Sequence, residues 1–213
     1  MNSLPVTISI LFVLVTLLTA WQFYNASGKS KTVFAFISVW LMLQGVMGLT
    51  GFYQDTRSFP PKFILLIGPG IIFSVLLFVS KRSRDFIDSF SLRKLTLLHA
   101  VRIPVEITLF FLYTAKLVPL AMTFEGNNYD IISGLTAPIM YYLFFIRNKM
   151  SNTGLLVWNF VCLLLLINIV VIAVLSAPTS FQQFAFGQPI LVLLSFHLFG
   201  CPLLWCRLCW YHI

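Results

Sequence analysis

The chain has 213 residues, 59% of them hydrophobic and 9% charged, with a formal net charge of +8 and a mean hydropathy of +0.94. About a quarter of the residues in a soluble domain are charged, so this composition excludes one and describes an integral membrane protein. The excess of basic residues lies in short connections between apolar runs, where it acts as a topology signal and gives no support to nucleic-acid binding.

The fold class expected is all-α: a polytopic transmembrane helical bundle of about seven spans, forming one membrane domain over residues 1–213. A first span, about Val6 to Tyr24, has no positive segment before it and reads as a retained helix ending on the interfacial residues Trp21 and Tyr24. A second, about Thr32 to Leu49, carries Gln44 and the small residues Gly45, Gly48 and Gly51, which favour close helix packing. The third, about Phe63 to Val79, is interrupted by Gly68-Pro69-Gly70, a kink or a broken helix. The basic connection Lys81–Lys94, with Phe86, Ile87 and Phe90, is expected to lie on the bilayer surface against anionic lipid.

The fourth span, about Leu95 to Leu120, is where ionisable residues enter an apolar run. His99, Arg102, Glu106, Tyr113 and Lys116 follow one another at spacings of three, four, seven and three residues, so a single helix would carry them on one stripe. Leu97, Val101, Ile107, Phe111 and Leu112 make up the opposite face. Such a stripe must face protein or water inside a bundle. Arg102 and Lys116 are long enough to reach toward an interface, whereas Glu106, near the midplane, is not. Two arrangements would relieve Glu106: an ion pair with Arg102 one turn away, or uptake of a proton, the device by which many transporters couple. Gln44, Asn168 and His197 lie inside their own spans and are candidate partners.

Between the fourth and fifth spans comes Ala121–Asp130, expected as an acidic outer loop. Asp130 suits a helix N-terminus, and Glu125 stands beside Gly126 without such a role. The fifth span, about Ile131 to Ile146, is only about 24 Å long and contains Gly134 and Pro138. His99, Arg102, Pro104 and Glu106, followed by Met122 to Asn127, Asp130-Ile131 and Gly134 to Pro138, resemble a group of uncharacterised bacterial multi-pass membrane proteins. That resemblance, over about Leu98–Pro138, implies only that charged stripe and acidic loop form one unit, and it brings no activity; the location expected for the chain is a membrane, the bacterial inner membrane.

The sixth span, about Gly154 to Leu175, is apolar apart from Asn159, Cys162 and Asn168. The last, about Ile190 to Trp205, carries His197. Cys206-x-x-Cys209 with Cys201 and His212 lacks a scaffold that would close a tetrahedral site, so no metal or other cofactor is expected. No hydrolase, metalloprotease or phosphate-loop motif occurs. With the N-terminus outside, ten Lys and Arg fall on inner connections, two on outer ones and two in the fourth span, out of fourteen. The functions consistent with this pattern are binding or movement of a small solute or protons, a membrane-embedded enzyme acting on a lipid, and a structural or regulatory subunit.

Overall fold

The computed structural model describes residues 6–50, 89–177 and 182–185, together with Phe52, Lys62, Gly68, Pro69 and Ile72. Expectations for the third span, most of the Lys81–Lys94 connection, the last span with His197, and the cysteine-rich tail fall outside these residues. All regular structure among the described residues is helical. Four helices are long and apolar enough to cross a membrane, and Ile131–Ile146 is a shorter apolar one.

Helix α1 (Val6–Ala26) and helix α2 (Lys31–Leu49) are apolar around most of their circumference. On α1 the buried positions Ile8, Val15 and Phe23 recur at seven and eight residues, while Ile10, Leu14, Leu17 and Trp21 are exposed. A stripe of large apolar side chains left outside a bundle is the surface that lipid covers. Gly28 and Lys29, both in the left-handed region (φ 66° and 63°), reverse the chain between the two helices.

The fourth span is one helical stretch, Leu92–Thr114, as expected, but it is tightened in its middle and ends early. It consists of α3 (Leu92–Leu98), a 3-10 turn at His99–Val101, and α4 (Arg102–Thr114). Pro104 has no N–H to give the Ala100 carbonyl, and the tighter turn lies at that carbonyl. The helix ends six residues before Leu120. Lys116 N–H donates to the Tyr113 carbonyl (2.8 Å) and Leu117 N–H to the Leu112 carbonyl (2.9 Å), with Lys116 at φ 58°. These two bonds form a Schellman termination with lysine where glycine is usual. Lys116 is therefore an exposed cap residue and leaves the stripe.

Helix α5 (Ile131–Tyr141) runs into a π turn at Tyr142–Ile146, and α6 (Asn152–Ser176) starts on Ser151, whose Oγ accepts the Gly154 N–H at 3.1 Å. A Cβ on Gly134 would lie 2.9 Å from Ile103 Cγ1 and 3.1 Å from Ile103 N. This glycine thus lets the start of α5 press against the start of α4, well inside the bundle.

The two ends of the bundle are defined by contacts. At one, Ser91 N–H donates to the Ala26 carbonyl (2.9 Å), Lys94 Nζ to the Asn25 carbonyl (2.8 Å), and Arg93 lies 5.7 Å from the Phe145 ring centroid. Phe23, Ala26, Val33, Ile37, Phe90, Leu95 and Leu98 pack together there. Toward the other end, Ile8 joins Leu109, Leu112, Val118, Met122, Leu166 and Ile169. Helix α1 therefore runs antiparallel to α3–α4, and α6 runs parallel to them.

Candidate functional site

Helix α3–α4 is about 34 Å long at 1.5 Å per residue, and Arg102 and Glu106 lie about 15 and 21 Å from its start. Both are buried, at 8% and 1% exposure. Their partners come from the segment between α4 and α5. Arg102 Nη1 donates to Asp130 Oδ1 in a buried ion pair, to Ser133 Oγ at 2.9 Å and to the Cys162 carbonyl of α6 at 3.2 Å. Ser133 Oγ in turn donates to the Asp130 carbonyl at 2.6 Å. Asp130 stands at the N-cap position of α5 but caps nothing with its side chain. It thus takes the expected place at the helix N-terminus, with its carboxylate turned to the guanidinium.

Glu106 has a different partner. Asn128 Nδ2 lies 2.6 Å from Oε1 and 2.7 Å from Oε2 of Glu106, and it also donates to the Met122 carbonyl at 3.0 Å. Asn128 Oδ1 accepts the Asp130 N–H at 3.1 Å. The two acidic residues are thus joined through one asparagine, and Arg102 completes the chain from α4 to α6. Among the described residues no cation lies within ion-pair distance of Glu106. An amide offers two hydrogens, so three acceptors share them, and the carboxyl group is left with acceptor capacity to spare.

This arrangement requires the segment after α4 to fold back into the bundle. Val118, Met122, Thr123 and Asn128 are all completely buried, and Asn128 reaches a side chain about 12 Å below the end of α4. Irregular backbone at such depth is admissible only when protein covers it. Only part of Ala121–Asp130 is therefore a surface loop. Glu125, Asn127 and Tyr129 are exposed, while Met122, Thr123, Asn128 and Asp130 are interior. Gly126 makes the reversal possible, since a Cβ there would lie 2.2 Å from the Leu120 carbonyl oxygen. Helix α5 starts partway along α4, where Asp130 meets Arg102, and this segment lies between it and the end of α4.

The remaining expected residues divide. His99 is 3% exposed and meets the Trp158 ring edge-on at 5.0 Å between centroids, while Trp158 Nε1 donates to Thr136 Oγ1 at 3.0 Å. It belongs to the same interior, one turn inward of Arg102. Tyr113 packs beside the apolar cluster and Phe110, away from Glu106. Asn168 Nδ2 donates to the Asn127 carbonyl at 2.8 Å, pinning the re-entrant segment to α6. Gln44 is buried on α2. On the face opposite the stripe, Leu97, Ile107 and Phe111 are exposed, but Val101 and Leu112 are core residues. Among the described residues no group of His, Cys, Asp and Glu is placed to hold a metal ion.

Sequence reasoning did not single out Asn128 or Ser133. Asn128 stood in a polar, turn-forming run indistinguishable from a solvated loop. The one available signal was Asp130, a carboxylate 28 residues from Arg102 (130 − 102) at the entry of an apolar segment. Comparison with protein-family models, with curated proteins and with solved structures gave no match.

Proposed function

We propose that this chain is a seven-span membrane protein with its N-terminus outside, and that its interior polar unit binds and passes protons or a small solute, Glu106 being the binding group. The observation that carries this reading is a buried carboxyl group held by a neutral amide. A purely structural carboxylate in a bilayer is matched by a cation, as Asp130 is matched by Arg102. Glu106 is instead left able to exchange a proton or accept a ligand donor. The discontinuous crossing formed by the re-entrant segment and α5 is the kind of element around which transporters build midplane sites.

The test is flux through reconstituted protein. Proteoliposomes carrying a pH gradient and a trapped pH-sensitive dye should dissipate the gradient faster than empty vesicles, and Glu106→Gln should return the rate to that of empty vesicles while the protein stays folded. Dissipation by Glu106→Gln at the unaltered rate would defeat the reading.

Orientation rests on charge and on the bundle ends. Lys29, Lys31, Arg93, Lys94, Arg147 and Lys149 are all exposed, and contacts of Lys94 and Arg93 gather their three connections at one end. That end is the cytoplasmic one by the positive-inside rule. That α2 leaves this end and α3 starts from it supports the third span. The anionic lipid expected at Lys81–Lys94 would meet this same basic end. In a background without the four native cysteines, Lys29→Cys and Ser151→Cys should resist an impermeant thiol reagent added to intact cells, and Glu125→Cys should react. Labelling of Ser151→Cys from outside would reverse the orientation.

A further inference from the structure

His99 has no role in the ion pair or in the Glu106 contact, yet its setting is costly. Both ring nitrogens are buried without a hydrogen-bond partner. Leaving a buried polar atom without a hydrogen bond costs about 1–3 kcal/mol, and the ring's neighbour Trp158, 5.0 Å away between centroids, gives its own Nε1 hydrogen to Thr136. An apolar side chain of similar shape would fill this place without the cost, so the fold has no use for an imidazole here unless something bonds to it. We propose that His99 is a second binding position of the interior pathway, a site for internal water that connects the polar unit toward the inner end of the bundle.

A neutral imidazole offers one donor and one acceptor. Water can donate to one nitrogen and accept from the other, one molecule at each because the two point away from one another, and buried waters are found where polar atoms would otherwise be unpaired. The charged and titratable groups around His99 are few. Its own helix carries Arg102 and, one turn farther on, Glu106; Asp130, engaged by that arginine, stands at the N-cap of α5, α6 carries Cys162, and α1 contributes no charged residue. His99 lies about 10 Å from the start of α3 and Glu106 about 21 Å from it. The two are thus successive stations on either side of the Arg102–Asp130 pair. This assignment rests on the pathway reading given above.

The test uses the full chain, labelled with 15N-histidine, in lipid nanodiscs. Water-edited solid-state NMR, with His99→Phe identifying the resonances, should show magnetisation passing from water to the His99 ring nitrogens. In proteoliposomes His99→Phe should lower proton flux by about 100-fold with a melting temperature equal to or above that of the parent. His99 nitrogens that receive nothing from water, or unaltered flux through a folded His99→Phe protein, would overturn the proposal. The two readings fail separately. A dry His99 with flux that still depends on Glu106 removes only the water site, whereas a hydrated His99 with flux indifferent to Glu106→Gln removes only the binding role of Glu106.

Discussion

Replacing Asp130 by alanine is expected to destabilise the folded protein by about 3–5 kcal/mol, the cost of stranding one member of a buried ion pair. Arg102 is the stranded member. Its guanidinium also bonds to Ser133 and to the Cys162 carbonyl, so it cannot swing to an interface without abandoning α5 and α6. Unfolding in mixed micelles of increasing SDS fraction would measure the loss. Removing both charges, as Arg102→Met with Asp130→Leu, should recover most of it, since neighbours in one network are strongly coupled. The cycle also decides which carboxylate Arg102 needs. Arg102→Gln combined with Glu106→Gln should show no such recovery, because Asp130 is then left buried and alone. Recovery in that second pair would mean that Arg102 depends on Glu106 one turn away.

The second large effect is expected at Gly126. A methyl group there would overlap the Leu120 carbonyl oxygen at 2.2 Å and approach Ala121 Cα at 2.8 Å. Both are backbone atoms, which cannot be moved aside by a rotamer change. Gly126→Ala should therefore force the re-entrant segment outward at a cost of about 3 kcal/mol, the upper range for overpacking. The buried Thr123 lies in the part that would be withdrawn. In the cysteine-free background, Thr123→Cys should be inert to an impermeant thiol reagent and become reactive when Gly126→Ala is added. A Thr123→Cys residue that stays inert would show that the segment tolerates the methyl group in place.

What was legible in the sequence differs between the helices and the site. Long apolar runs bounded by basic, turn-rich stretches are enough to place α1, α2 and α6, because in a bilayer every backbone group must be satisfied within the segment. Periodicity was equally sufficient to place His99, Arg102 and Glu106 on one inward-facing stripe. It failed at the end of that helix, where Lys116 adopts a conformation normally taken by glycine, and no residue type announced the stop. The pairing of the charges was out of reach for another reason. Helical spacing favours Arg102 with Glu106, but a short i,i+4 pair in the weaker orientation loses to Asp130, brought by the close approach at Gly134, and to Asn128. Tertiary proximity of this kind leaves no periodic mark.

The depth at which α5 begins also bears on how the chain enters the bilayer during synthesis. A segment of about 24 Å preceded by a buried carboxylate is a poor candidate for independent insertion, since charged residues such as Asp and Arg each oppose partitioning by about 2.5–3.5 kcal/mol at mid-membrane. Helix α3–α4 carries two such residues and α5 brings the third, but Arg102 and Asp130 neutralise one another once the two segments touch. Residues Leu92–Ile146 are therefore suited to leave the insertion machinery together as a closed hairpin, with the re-entrant segment folded inside it. By that route the interior polar unit would be assembled on membrane entry, before α6 covers it.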